Sequence, residues 1–596
     1  MRLTSVLTVV FFLIWMAPVT PAAEGKQLSE EQKIVHVLNR LGYGPRPGDI
    51  EKVRKMGVRA YIDQQLHPER IPDVLAARRL SEFKSLKLNG AELETAYPVV
   101  STEGLRARGN AVRMEPTEKP LPPPGSKAVA PTPVQPNLKN DEDERLFRQK
   151  TRMEKPGEYE LVKARLVRAV YSERQLLEMM VDFWFNHFNI FGRNGEAGGQ
   201  DYEEHAIRPH ALGKFEDLLK ATAQHPAMLM YLDNWRSSAP VEVLQQRLGV
   251  LNPSLSGPER RVWRQMAVSV REMKGLNENY GRELMELHTL GVEGGYTQQD
   301  VIQVAKCFTG WTVSEWNGDG TRSYDHFVFS PLLHETGDKV VLGKTIKSGG
   351  MDEGMQVLKM LAHHPSTARY VSTKLVRRFV ADNPPAEIVD AGRDAFLKSG
   401  GDIRQTLAAI LTHPSFFAAQ YHQIKFKKPV ELVWSALRAV DAEVSFPPMP
   451  RRRMMGQGAT GLGAYMAEMG EALYQRRTPD GYPDHAAAWL NSNALLKRME
   501  FANAVTAGEI PGVQPNLASA RQLLRGIGMP QPSAEQLNQM TARIAQTGAA
   551  KKPAQPGGES MMMDSSKPQK METEKKVSPE ALTVAFALGS PQFQKR

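Results

Sequence analysis

Apolar positions recur at helical spacing along most of this chain. Ser29-Glu30-Glu31-Gln32 has the form of a capping box, and Ile34, Leu38 and Leu41 follow three or four residues apart. Gly42 is the expected stop. The turn GYGPRPGD then leads to two short helices, one through Ile50 and Val53 and one through Ile62 and Leu66. Ser172-Glu173-Arg174-Gln175 predicts a second capping box, opening a helix through Leu176, Met180, Phe183, Trp184 and His187. Three leucine-rich stretches each run into a His-Pro pair, at His225-Pro226, His364-Pro365 and His413-Pro414. Proline suits the first turn of a helix, so these histidines are expected to be caps or hinges rather than ligands. Their spacing is too uneven for a solenoid. Strand-like text is scarce: HFVF at 326–329 and KVVLG at 339–343 predict one hairpin or small sheet. The pattern as a whole predicts a mainly α, irregular multi-helix body with a small β element near 326–343.

Two stretches interrupt it. Residues 109–140 carry eight prolines and few large apolar side chains, and 546–577 is rich in Met and Lys. Neither can bury enough surface to offset its ordering entropy, so both are expected to be disordered. They separate a helical part at 24–108, a main body at 141–545 and a closing helical segment at 578–596. The first 23 residues read as a signal peptide, with Arg2, the apolar run Val6–Met16 and small residues up to Ala22 and Ala23. That run is shorter than the ~20 residues of a membrane span, and no later segment is long and apolar enough. A periplasmic or secreted location is the expectation.

Composition narrows the chemistry. A single cysteine, Cys307, excludes an intramolecular disulfide framework and CxxC-type zinc or iron–sulfur sites. Its helix also carries Val304, Phe308 and Trp311, which predicts a buried, inert thiol. A net charge of +10 over 596 residues is too dilute for a nucleic-acid stripe. GxSxG, Walker A, HExxH and CxxCH motifs are all missing.

Two clusters remain. In DFWFNHFNIF, 182–191, His187 falls on the same helical face as Phe183, Met180 and Leu176, so it is a satisfied core histidine, a metal ligand or a proton shuttle. In GLNENYGRELMELHTLG, 275–291, Glu278, Arg282 and Glu286 are spaced for an ion-pair ladder, and Glu283 and Glu286 can present two carboxylates. His288 lies ~200° round a regular helix from Glu286, so a single-helix metal site is unfavourable. A divalent-metal site would need His187 or His210 from another helix, with Glu283 and Glu286. The catalytic candidates are thus His187, Glu283, Glu286, His288 and Arg282, with Asn186, Asn279, Trp311 and Trp489 as substrate-binding candidates.

The strings HVLNRLGYGPRPGDIEKV, FWFNHF, NENYGRELMELHTLGVEGGYTQQDV, FTGW, HETGDKVVLGKTI, KLVRRFV, TPDGYPDHAAAWLNS and LGSPQFQKR span nearly the whole chain. On them the protein resembles a large bacterial family catalogued as domain of unknown function 1800. The resemblance implies an exported, mostly helical protein without an assigned reaction. It also implies a co-encoded exported partner similar in fold to phosphatases and sulfatases. Three functions stay open: a periplasmic hydrolytic or metal-assisted enzyme, a non-enzymatic export or assembly partner of that neighbour, and an envelope carbohydrate-binding protein using Trp311, Trp316 and Trp489.

Overall fold

The computed structural model describes residues 26–88, 156–191, 198–251, 275–314, 326–446, 461–549 and 578–596, with isolated positions 92, 270 and 273. Residues 1–23, read above as a signal peptide, the proline-rich insert, Trp316 and nearly all of the Met/Lys-rich tail lie outside the described residues. Helix does run on to Ala549, slightly past the 546 boundary drawn from composition.

Helices begin where local chemistry satisfies their first N–H groups. Ser29 Oγ accepts from Gln32 N at 3.3 Å and Gln32 Oε1 accepts from Ser29 N at 3.0 Å, which opens α1 (Glu30–Arg40). Its apolar face buries Ile34, Val37 and Leu38. The three His-Pro histidines are caps of one design. Nδ1 of His225, His364 and His413 accepts the backbone N–H two residues on, at 3.1, 3.2 and 3.2 Å. Proline supplies the position between, where no N–H is needed.

The second expected capping box does not form. Helix α2 (Pro156–Tyr171) turns into α3 (Gln175–His187), which has no side-chain cap. Gln175 is buried and folds back, donating to the carbonyls of Ala169 and Ser172 while its Oε1 accepts from Tyr43 N at 3.0 Å. Ser172 Oγ instead accepts from Arg174 N and donates to Asp73. The corner is stitched to the N-terminal helices, and that tertiary demand outweighs the local motif.

The β structure also differs from expectation. Residues 326–329 and 339–343 do not pair with each other. Strand β1 (Trp311–Val313) pairs antiparallel with β2 (Phe327–Phe329), and β3 (Lys339–Val341) with β4 (Lys344–Ile346). Leu342 and Gly343 take φ of 49° and 73°, so a two-residue turn with both φ positive closes the β3–β4 hairpin. A third pair joins β5 (Glu443–Val444) to β6 (Val513–Gln514).

One contiguous apolar core draws on elements from Ile34 to Phe593. The closing segment forms α7 (Pro579–Gly589), which packs on the helices Ser492–Thr506 and Leu517–Gly526. Within this core lies an ionic centre. Asp182 of α3 meets Arg165 of α2 at 2.7 Å, Arg378 of α5 (Pro365–Phe379) at 3.1 Å and Lys428 at 3.3 Å, just ahead of α6 (Pro429–Ala439). Arg378 also pairs with Glu431, Lys428 with Glu471 at 3.0 Å, and Arg165 with Glu203 at 2.6 Å. Burial alone would raise the Asp182 carboxyl, but Lys428, Arg165 and Arg378 override it and hold it well below the usual carboxylate range.

Candidate functional site

Helix α3 carries the FWFNHF string to the centre of the molecule, and its polar residues act as clamps. Asn186 Nδ2 donates to Tyr482 O at 2.8 Å, and its Oδ1 accepts from Tyr482 N at 2.7 Å. Asn189 Nδ2 donates to the carbonyls of Arg476 and Thr478 at 3.0 and 2.9 Å. Tyr231 donates to Arg477 O at 2.8 Å. The loop 476–484 is thus held by its backbone, leaving Asp480 exposed at its tip with Arg476 paired to it at 2.8 Å. Gly481 is required here: its φ is 71°, and a Cβ would stand 2.2 Å from Asn186 O. Asn186 therefore positions a loop rather than a substrate.

His187, next in line, is buried. Its Nε2 lies 3.1 Å from His288 O, and its ring stands 6.3 Å from the His288 ring. His187 Nδ1 and His288 Nε2 have no hydrogen-bond partner among the described residues. Burial first, then the charge of nearby Lys374, holds both rings neutral; His187 falls well below its ordinary range and His288 to about 3. The two motifs do meet in space, but through a histidine pair. The expected contact of His187 with Glu283 or Glu286 is not made.

The segment Leu284–Thr289 is a π-turn, with Thr289 Oγ1 donating to Leu284 O at 2.6 Å. Such turns are rare and frequent at functional sites. It sends His288 inward and leaves Glu283 and Glu286 half-buried at the rim. Burial, and then the neighbouring Glu286, raises the Glu283 carboxyl above its usual value. Opposite stands α5. Its Tyr370 lies against Gly291, where a Cβ would come within 2.8 Å of the ring, and 6.1 Å from His187 between ring centres. Lys374 sits with Nζ 5.4 Å from the Tyr370 ring centre, in no ion pair among the described residues. Burial, and then Arg377, lowers its amine to about 8, although Asp484 and Asp480 push the other way. Burial also raises Tyr370 to about 12, and Glu286 contributes to that rise. Asp480 couples electrostatically to both Lys374 and Glu283.

Several expected roles change. Arg282 pairs with Glu278 at 3.2 Å and Gln298 at 2.9 Å, facing α4 (Gln298–Cys307), so the predicted ladder stops short of Glu286. A π-turn shifts the phase on which that ladder depended. Asn279 donates to Leu232 O at 3.3 Å and supports the chain turn there. Trp311 and Trp489 are buried, Trp489 with Nε1 donating to Pro483 O, so neither ring is open to stack on a sugar. His210 lies in the turn Arg208–His210 and joins neither His187 nor the glutamates, and no group of three or more metal-ligating side chains assembles among the described residues. Cys307 is fully buried, and burial raises its thiol to about 12, as expected of an inert residue. KLVRRFV reads as an ordinary amphipathic helix, and only the fold sets its Lys374 beside the two histidines.

A helical body wrapped round a buried ionic centre, with the two sequence motifs meeting at the His187–His288 contact, defines a mainly α protein. Residues 36–595 match the family described as a protein of unknown function, DUF1800, and the chain belongs to that family. No curated protein and no solved structure matches it.

Proposed function

We propose that the protein is an exported acid–base hydrolase whose site lies along the surface where the π-turn meets α5. The observation that carries this reading is Lys374, a half-buried amine outside any ion pair among the described residues, set on α5 beside His187 and His288. An amine near 8 and a raised carboxyl bring base and acid toward neutral pH from opposite sides, the arrangement general acid–base catalysis favours. In this reading Lys374 takes a proton from the attacking water and Glu283 protonates the leaving group. Tyr370 and Arg377 orient the substrate, while His187 and His288 form a neutral floor that keeps the amine desolvated. The export part of the reading rests on the leader sequence.

The test is a chromogenic screen of carboxylic esters, phosphoesters and glycosides with the full chain, Lys374→Met and Glu283→Gln. General acid–base groups contribute about 10²–10⁴-fold. Each variant should lose at least a hundredfold with melting unchanged. Variants as active as the parent would overturn the assignment. Absence of turnover, with firm co-purification of the co-encoded phosphatase- or sulfatase-like protein, would favour the assembly-partner role.

A further inference from the structure

Two buried guanidinium groups stand near the ionic centre without an anion of their own. Arg40 closes α1 and is 0 % exposed. Its Nη2 donates to Tyr421 O at 2.6 Å, while its Nε and Nη1 have no hydrogen-bond partner among the described residues. Arg596 is 3 % exposed. Its Nη2 donates to Arg378 O at 3.0 Å and lies 3.2 Å from Glu431 Oε1, while its Nε and Nη1 are likewise without partners among the described residues. A guanidinium offers five N–H donors and, unlike a lysine amine, cannot shed its charge when water is withdrawn. Leaving such a charge unpaired in the interior is strongly unfavourable.

The neighbouring carboxylates are already committed. Glu431 pairs with Arg378, Asp382 with Lys425 at 2.7 Å and with Ala486 N at 2.7 Å, and Asp484 with Lys425 at 3.0 Å. None of the three meets Arg40 in an ion pair among the described residues, and the charge acting on Arg40 most strongly is that of Arg596. His36, one turn before Arg40 and 2 % exposed, and His422 supply no negative charge; burial and the charge of Arg40 keep both rings neutral. Donors therefore outnumber acceptors around the two guanidinium groups, and the local excess of charge is positive. Both groups are sealed from solvent, so an ion that balances them has to be small and has to shed its water. A halide meets that condition, whereas phosphate and sulfate bring more charge and a hydration shell that is harder to strip.

We propose that Arg40 and Arg596 hold a chloride ion between them, which accepts from the free Nε and Nη1 donors of both side chains. The ion supplies the counter-charge that the carboxylates of this region leave short. It joins the end of α1 to the closing segment across the stretch 421–425, to which Arg40 and Arg596 already bond through Tyr421 O and Lys425 O. The seat draws on two residues far apart in the chain, so it exists only in the folded protein. The ion therefore binds the native state alone and stabilises it by mass action.

The experiment measures urea unfolding of the full chain as chloride is replaced by gluconate at constant ionic strength, which keeps screening fixed. One ion bound by the native state alone should lower the unfolding constant about tenfold for each tenfold rise in chloride above its dissociation constant. Bromide should substitute for chloride, and its anomalous scattering in crystals should place it between Arg40 and Arg596. Arg40→Met, which removes the charge and keeps an apolar chain of similar reach, should abolish the chloride dependence. Arg596→Met gives the same test if that variant does not fold, and the bromide position needs no variant. An unfolding constant indifferent to the exchange of chloride for gluconate, a dependence kept in either variant, or bromide found only at the surface would overturn the proposal.

Discussion

Gly481→Ala is the sharpest probe of how the 476–484 loop is held. The substitution places a methyl 2.2 Å from Asn186 O and 2.8 Å from Asn186 Oδ1, neither of which is the free end of a long side chain. It also asks alanine to hold φ of 71°, which costs about 1–2 kcal/mol. Relief requires the loop to move off α3, and that breaks the two hydrogen bonds between Asn186 and Tyr482. At about 0.5–1.5 kcal/mol each, the total reaches about 3 kcal/mol. Since every 1.4 kcal/mol is tenfold, opening of the loop should become ~100-fold more frequent. Hydrogen–deuterium exchange reads this directly, because the Tyr482 amide is itself a donor in the clamp. Peptides over 476–484 should lose about two decades of protection while those over α6 keep theirs. Asp480 moves with the loop, so its coupling to Lys374 and Glu283 should go as well. Protection of the loop within twofold of the parent would refute the clamp.

Asp182→Asn should destabilise by about 3–5 kcal/mol in denaturant titrations at neutral pH, because Arg165, Arg378 and Lys428 lose their shared counter-ion. The parent carboxyl is depressed when folded, so its contribution is present above the unfolded value near 4 and fades as pH falls below it; the Asn variant should lack that part of the acid limb. His187 and His288 are depressed as well, so the unfolded chain binds their protons first and stability should fall below about pH 6.5, by up to about 1.4 kcal/mol per pH unit for each ring. His187→Phe with His288→Phe should flatten stability between pH 4 and 6 in the same titrations, and an unchanged slope would count against neutral buried rings. His364→Ala and His413→Ala should each cost about 1 kcal/mol, as lost helix caps do, with little change in the exchange of the 476–484 loop.

Much of this fold was legible in order along the chain. The capping box at Ser29 forms as read, since it closes within four residues. The His-Pro caps form for the same reason. The motif at Ser172 failed because Gln175 is claimed by Tyr43, 132 residues away, and no local pattern records that claim. The hairpin near 340 was placed correctly but paired wrongly. VVLGKT contains its own two-residue turn, while β2 takes a partner from beyond Cys307.

The candidate site divides along the same line. The sequence by itself determined the mainly helical class, the family, the inert cysteine and the two motifs that end up facing each other across the His187–His288 contact. These follow from short-range periodicity, capping and composition, which act within a few residues. Which polar residues are clamps and which charges cancel at Asp182 was settled by contacts between distant parts of the chain. Protonation depends on burial and on neighbours brought in from distant parts of the chain. Lys374 looks ordinary as text, and folding alone buries it beside Arg377 and two histidines.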